Sequence, residues 1–133
     1  MNRTYSPAKK LIVLAVALFA MLAVPAAAQT VQYRQITPEA AKKMLAEDKT
    51  ATLVDVRTPE EYASGHIAGS VLIPDYDLAA KAAKMLPDKS KPIIVYCRSG
   101  NRSRGSAQWL LKEGYTNVYD LGGIGRWPFG TVK

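Results

Sequence analysis

The chain is short of the side chains that most often announce chemistry, with one cysteine and one histidine among 133 residues. A lone cysteine closes no internal disulfide, so no disulfide framework braces the fold. Cys97 and His66 stand far apart and make no ligand set, so no metal is expected. No run of five like charges occurs, and no basic stretch is interleaved with aromatics, which argues against nucleic acid as a partner. The chain also lacks a G-x-G-x-x-G or Walker pattern. Gly122-Gly123 therefore reads as a turn, not a nucleotide cradle, and no cofactor is called for. Repeats and low-complexity tracts are absent too, leaving length for one domain.

One long apolar run is present, at the N-terminus. Arg3, Lys9 and Lys10 precede an unbroken apolar stretch from Leu11 to Val24, and Pro25-Ala26-Ala27-Ala28 ends it in small residues. This is the pattern of a secretory signal. We expect cleavage after Ala28, a signal peptide over residues 1–28, a domain over residues 29–133, and a periplasmic or secreted location. The alternative is an uncleaved anchor, because Leu11 to Ala28 is at the lower edge of a spanning length. Removing residues 1–28 takes three of the 18 basic residues and none of the 11 acidic ones, so the net charge falls from +7 to 15 − 11 = +4. Arg98, Arg102 and Arg104 account for three of those charges, and the partner they imply is a small anion. The expected mature protein is a monomer that leaves the membrane once the signal is cut.

Those arginines surround the cysteine. Ile93-Ile94-Val95-Tyr96 has the character of a buried strand, Cys97 follows it, and Ser106 to Glu113 has helical periodicity ending at Gly114. Between them, Arg98, Ser99, Gly100, Asn101, Arg102 and Ser103 lead towards a helix N-terminus, where unpaired amides and the helix dipole attract anions. Such surroundings favour a thiolate, which would make Cys97 a nucleophile.

Elsewhere strands and helices alternate. Tyr33–Ile36, Thr52–Val56, Val71–Ile73 and Asn117–Asp120 read as further short strands. Thr37-Pro38-Glu39 opens a helix reaching about Glu47, and Thr58-Pro59-Glu60-Glu61 is a capping box for a short helix stopping near Gly65. Leu78 to Leu86 is a third helix, ended by Pro87. This alternation predicts an α/β domain, a parallel sheet with helices on both faces and ligands beyond the carboxyl ends of the strands.

Cys97-Arg98-Ser99-Gly100-Asn101-Arg102-Ser103 resembles the active-site loop of the rhodanese family of sulfurtransferases. Leu53-Val54-Asp55-Val56-Arg57-Thr58-Pro59-Glu60-Glu61-Tyr62, with Gly65-His66-Ile67-Ala68-Gly69-Ser70 and Ile73-Pro74, is similar to the two signatures that precede that loop. Leu121-Gly122-Gly123-Ile124 with Trp127 resembles the family's C-terminal end. The resemblance spans about residues 33 to 127 and implies a single rhodanese-like domain. It further implies a thiosulfate sulfurtransferase, working through a persulfide on Cys97 between a small anionic sulfur donor and a thiophilic acceptor, cyanide or a thiol. Amides of Arg98 to Ser103 would hold the persulfide and the leaving anion, with Arg98 and Arg102 attracting the donor.

Three residues near the site are assigned to structure. Asp55 and Arg57, two apart on a strand and therefore facing alike, are expected to form a buried ion pair. The resemblance gives His66 a loop-holding role, since sulfur transfer to a thiolate abstracts no proton. Trp109 and Trp127 are read as packing. Two rivals stand against this reading, and the spacing of the loop argues against the second. One is a non-enzymatic module that binds a partner or carries sulfur. The other is oxyanion chemistry of the phosphatase or arsenate reductase kind, whose pattern resembles C-x5-R where this chain has C-x4-R from Cys97 to Arg102, with Asp55 or Asp75 the available acids.

Overall fold

The computed structural model describes residues 31–133; the signal reading of residues 1–28 lies outside the described residues. Four parallel strands form one sheet in the order β2-β1-β3-β4: β1 (Thr52–Asp55), β2 (Val71–Leu72), β3 (Ile93–Cys97) and β4 (Val118–Gly123). Parallel neighbours need crossovers, and the helices supply them. After α1 (Pro38–Glu47), which precedes β1, these are α2 (Pro59–Ser64), α3 (Leu78–Met85) and α4 (Asn101–Lys112), with single 3-10 turns at Asp75–Asp77 and Ile124–Arg126.

Side-chain alternation along the strands sends residues to two separate cores. Val54, Val56, Ile93, Val95 and Cys97 point to one face, where Leu78 and Ala82 of α3 and Ala107 and Leu110 of α4 cover them. Leu53, Ile94, Tyr96 and Leu121 point to the other, against Ile36, Ile67 and Ala41 of α1. The helices therefore lie on both faces. Cys97 is the last residue of the central strand β3, directed towards α3 and α4 at the carboxyl end of the sheet.

Helix starts follow their local chemistry. The Thr37 hydroxyl accepts from the Ala40 amide at the head of α1, with Pro38 at the first helical position. At α2 the Thr58 hydroxyl accepts from the Glu61 amide at 3.2 Å while a Glu61 carboxylate oxygen accepts from the Thr58 amide at 3.3 Å, a complete capping box.

Three expectations need correction. Tyr33–Ile36 is no full strand, since only Gln35 makes an isolated parallel bridge, to Asp120, with the Ile36 amide donating to the Asp120 carbonyl. The helix after the cysteine starts at Asn101, not Ser106, because Gly100 turns the chain at φ +100° and leaves Asn101 to Arg104 free to continue the helix. Gly122-Gly123 is not a turn but the end of β4, paired with Tyr96 and Cys97.

Candidate active site

Between Cys97 and α4 the chain has only Arg98, Ser99 and the cap, Gly100. The positive φ of Gly100, ordinary for glycine and strained for other residues, folds this segment back so that its amide donates to the Cys97 sulfur at 3.0 Å. The thiol meets the Ser103 hydroxyl at 3.5 Å, and that hydroxyl donates to the Gly100 carbonyl at 3.1 Å. Ser103 is buried, and Arg98, Ser99 and Asn101 are exposed. The sulfur thus sits under a short loop, at the head of a twelve-residue helix whose first amides and dipole face the same way. Cys97 is itself fully buried.

The back of the loop rests on β4. Pairing between β3 and β4 slips after Val95, which faces Asp120, while Tyr96 faces Gly122; Leu121 is the extra residue. The Asp120 carboxylate fixes this bulge by accepting from the Gly122 amide at 2.8 Å and from the Tyr33 hydroxyl. Burial, then that same carboxylate, pushes the Tyr33 phenol upward. Gly123 is thereby pressed against the loop, and a β-carbon there would stand 2.6 Å from the Arg98 carbonyl oxygen. A side chain on Gly100 would likewise meet Gly122 at 3.7 Å. The Arg126 guanidinium covers the outer side of Gly122 and reaches the Leu121 carbonyl at 3.4 Å. Sequence reasoning missed the parts played by Gly123 and Arg126, since Gly122-Gly123 reads locally as a turn and Arg126 follows only after Ile124 and Gly125.

Arg102 does not point freely into the loop. Its two terminal nitrogens donate to the two Glu61 carboxylate oxygens at 2.7 and 2.9 Å. Chiefly through that hydrogen-bonded guanidinium, the Glu61 carboxyl is held down to about 2, from an ordinary 4.5. Arg102 is raised in return.

Asp55 and Arg57 form a buried bidentate ion pair with a 2.7 Å contact, and Arg57 also donates to the Gly65 carbonyl at 2.7 Å. The end of β1 is thereby tied to the loop after α2. His66 stacks on Tyr62 with ring centroids 3.7 Å apart, and its Nδ1 donates to the Tyr62 carbonyl at 2.9 Å. Its backbone exchanges two hydrogen bonds with Val132. Tyr96, the neighbour of Cys97 on β3, receives the Ile67 amide at 3.1 Å and contacts the Ser70 hydroxyl at 3.0 Å, and burial pushes its phenol strongly up. The same strand thus holds both the thiol and the Gly65–Ser70 loop. Among the described residues, no group of three or more His, Cys, Asp or Glu side chains is placed to hold a metal. No helix among them is long and apolar enough to cross a membrane.

Comparison with known proteins agrees with this arrangement. The family model described as "Rhodanese-like domain" matches residues 37–128. The thiosulfate sulfurtransferase GlpE of Pseudomonas entomophila (strain L48) is 35% identical over 97 residues, which cover 72% of this chain and 85% of that protein. A crystal structure of a rhodanese-related protein from Thermoplasma volcanium superposes with a TM-score of 0.64 at 32% identity, covering 75% of this chain and 98% of the other. A structure described as "rhodanese with anions from E. coli" has a TM-score of 0.56 at 36% identity, with 62% of this chain and 98% of that one covered.

Proposed function

Since the chain belongs to the rhodanese-like domain family, we propose that it is a thiosulfate sulfurtransferase that carries sulfane sulfur on Cys97. The observation that carries this reading is the Gly100 amide donating to the Cys97 sulfur at 3.0 Å at the head of α4. A thiolate accepts that hydrogen bond, and a persulfide formed there meets the outward-facing amides of the first helical turn.

The chemistry has two halves. The Cys97 thiolate attacks the outer sulfur of thiosulfate; an Sγ–S bond forms, the S–S bond of the donor breaks, and its electron pair leaves with sulfite. A thiophilic acceptor, cyanide or a thiol, then takes the outer sulfur and returns the electron pair to Sγ. Within this reading Arg98, which is exposed, draws the anionic donor, and the segment Ser99, Gly100, Asn101 and Ser103 supplies amides and a hydroxyl around the sulfur. Arg102 contributes positive potential while held by Glu61. Asp55, Arg57 and His66 brace the neighbouring loops.

The site is also proposed to work outside the cytoplasm, as a monomer. The support for export is the Leu11–Val24 run with its alanine-rich end, which gives residues 1–28 to a cleaved signal and residues 29–133 to the domain. Intact mass of exported protein should start at Gln29; retention of Met1 would place the domain on a tether instead.

The decisive experiment incubates the domain with thiosulfate and reads the intact mass. A gain of one sulfur, removed by cyanide and absent from Cys97→Ser, is expected. Absence of both the adduct and sulfite release would leave a binding or carrier module in place of the enzyme.

A further inference from the structure

Along α4, Arg102, Ser106 and Trp109 recur at helical spacing and face the turn Asp75–Asp77 and the start of α3. The two sides do not close. A groove of about 450 Å³ separates them, walled by Leu78, Ala79 and Trp109, with Asp75 and Ser106 adding polar groups. Asn101 and Arg102 form its end at the first turn of α4, directly after the Gly100 cap whose amide bonds the Cys97 sulfur.

Its floor is Gly105, five residues into a twelve-residue helix. Glycine at such a position destabilises a helix relative to alanine. Close packing does not explain it, because nothing lies within 4 Å of where its β-carbon would stand. What the missing side chain leaves is open groove.

Neither thiosulfate nor cyanide needs this room, whereas pockets of roughly 300–1,000 Å³ hold organic molecules with apolar walls and a few polar anchors. We propose that the α3–α4 groove binds the organic body of the acceptor, a low-molecular-weight thiol lying across Gly105 between Leu78 and Trp109. This inference rests on the sulfurtransferase reading and deepens it. Cys97 does not line the groove, but the outer sulfur of its persulfide stands about 2 Å beyond Sγ. The acceptor, having lost its proton to solvent, attacks that outer sulfur as a thiolate. A bond forms between the two sulfurs, the bond from the outer sulfur to Sγ breaks, and the electron pair returns to Cys97. Cyanide attacks the same sulfur without using the groove, so the two acceptors separate under mutation.

The test compares Gly105→Leu and Gly105→Ala with the unmodified domain, using glutathione and cyanide as acceptors and sulfite release to report persulfide formation. Filling the floor with leucine should raise KM for glutathione at least tenfold, and alanine should raise it about threefold. Cyanide turnover and sulfite release should stay within about twofold, and Gly105→Ala, a better helix former, should melt no lower than the parent. Equal losses for both acceptors, or no change for glutathione in either variant, would overturn the groove assignment while leaving the sulfurtransferase reading intact. If the unmodified domain releases no sulfite and gains no sulfur, both fall together.

Discussion

One carboxylate oxygen of Glu61 serves two elements at once: it accepts the Thr58 amide that caps α2 and a guanidinium N–H of Arg102 at 2.7 Å in the first turn of α4. The pair links the helix that follows β1 to the helix that follows Cys97, across 41 residues of sequence. Capping and loop anchoring therefore depend on a single ionised group.

That dependence sets a pH signature. The Glu61 carboxyl titrates at about 2 in the folded chain against 4.5 ordinarily. A depressed folded value means the stabilisation is complete above pH 4.5 and is lost as pH falls towards 2. Both side chains are about a quarter to a third exposed, so screening reduces the effect, and Glu61→Gln should cost about 1 kcal/mol at pH 7. Urea unfolding of both proteins between pH 7 and pH 2.5 should show the gap narrowing below pH 4.5. A gap of constant size would rule out the ionic explanation.

A second prediction concerns contact between strand and loop. In Gly123→Ala the added methyl would stand 2.6 Å from the Arg98 carbonyl, a backbone atom, so the loop must move. Displacing positioned groups by about 1 Å costs on the order of 10²-fold in rate. We expect sulfite release to fall by that order while circular dichroism and cooperative melting remain. Unchanged turnover would show that the loop tolerates the shift.

These two relationships mark where sequence reasoning stops. The apolar runs Thr52–Val56 and Ile93–Tyr96 mark their strands, Asp55 and Arg57 face alike by period two, and Thr58 with Glu61 spells a capping box, because each signal lies within a few residues. The Gly123–Arg98 approach and the Glu61–Arg102 pair join positions far apart in the chain, so no local pattern encodes them. The early start of α4 was hidden for another reason. Asn101, Arg102 and Ser103 are as common around turns as in first helical turns, and only the backbone of Gly100 decides between the two. Gly122-Gly123 misled in the opposite sense, since glycine usually signals a turn, whereas here Gly122 takes a positive φ at the bulge and Gly123 permits close packing of the strand end.

His66 offers a third test. It stacks on Tyr62 of α2 and donates to that residue's carbonyl, tying the Gly65–Ser70 loop to the helix before it, and among the described residues its side chain makes no hydrogen bond to Cys97. His66→Ala should therefore lose about 1 kcal/mol of stability from the stacked pair and keep sulfur transfer within about threefold at a temperature where it stays folded. Activity as low as that of Cys97→Ser in a folded His66→Ala protein would assign the histidine to the chemistry.

The last prediction separates sulfur transfer from oxyanion chemistry on a related cysteine loop. Enzymes that cleave phosphate esters with the pattern resembling C-x5-R need a ring of amides wide enough for a tetrahedral oxyanion, closed by a free guanidinium. Here the turn has Arg98 and Ser99 alone before the Gly100 cap, and the Gly100 amide already reaches the sulfur at 3.0 Å. Arg102, the arginine in the nearest equivalent place, has both terminal nitrogens committed to Glu61. Arg104 is the fourth residue of α4, exposed and a full turn from Gly100. Asp55 is consumed by Arg57 and Glu61 by Arg102, while Asp75 lines the groove beside Asn101 and Arg102. Aryl phosphate hydrolysis should therefore be negligible in the unmodified protein. It should stay negligible in Glu61→Gln, because freeing Arg102 leaves the ring one residue short. Phosphate release from p-nitrophenyl phosphate that depends on Cys97, in either protein, would overturn the argument; sulfite release from thiosulfate by the same preparations shows that the site is intact.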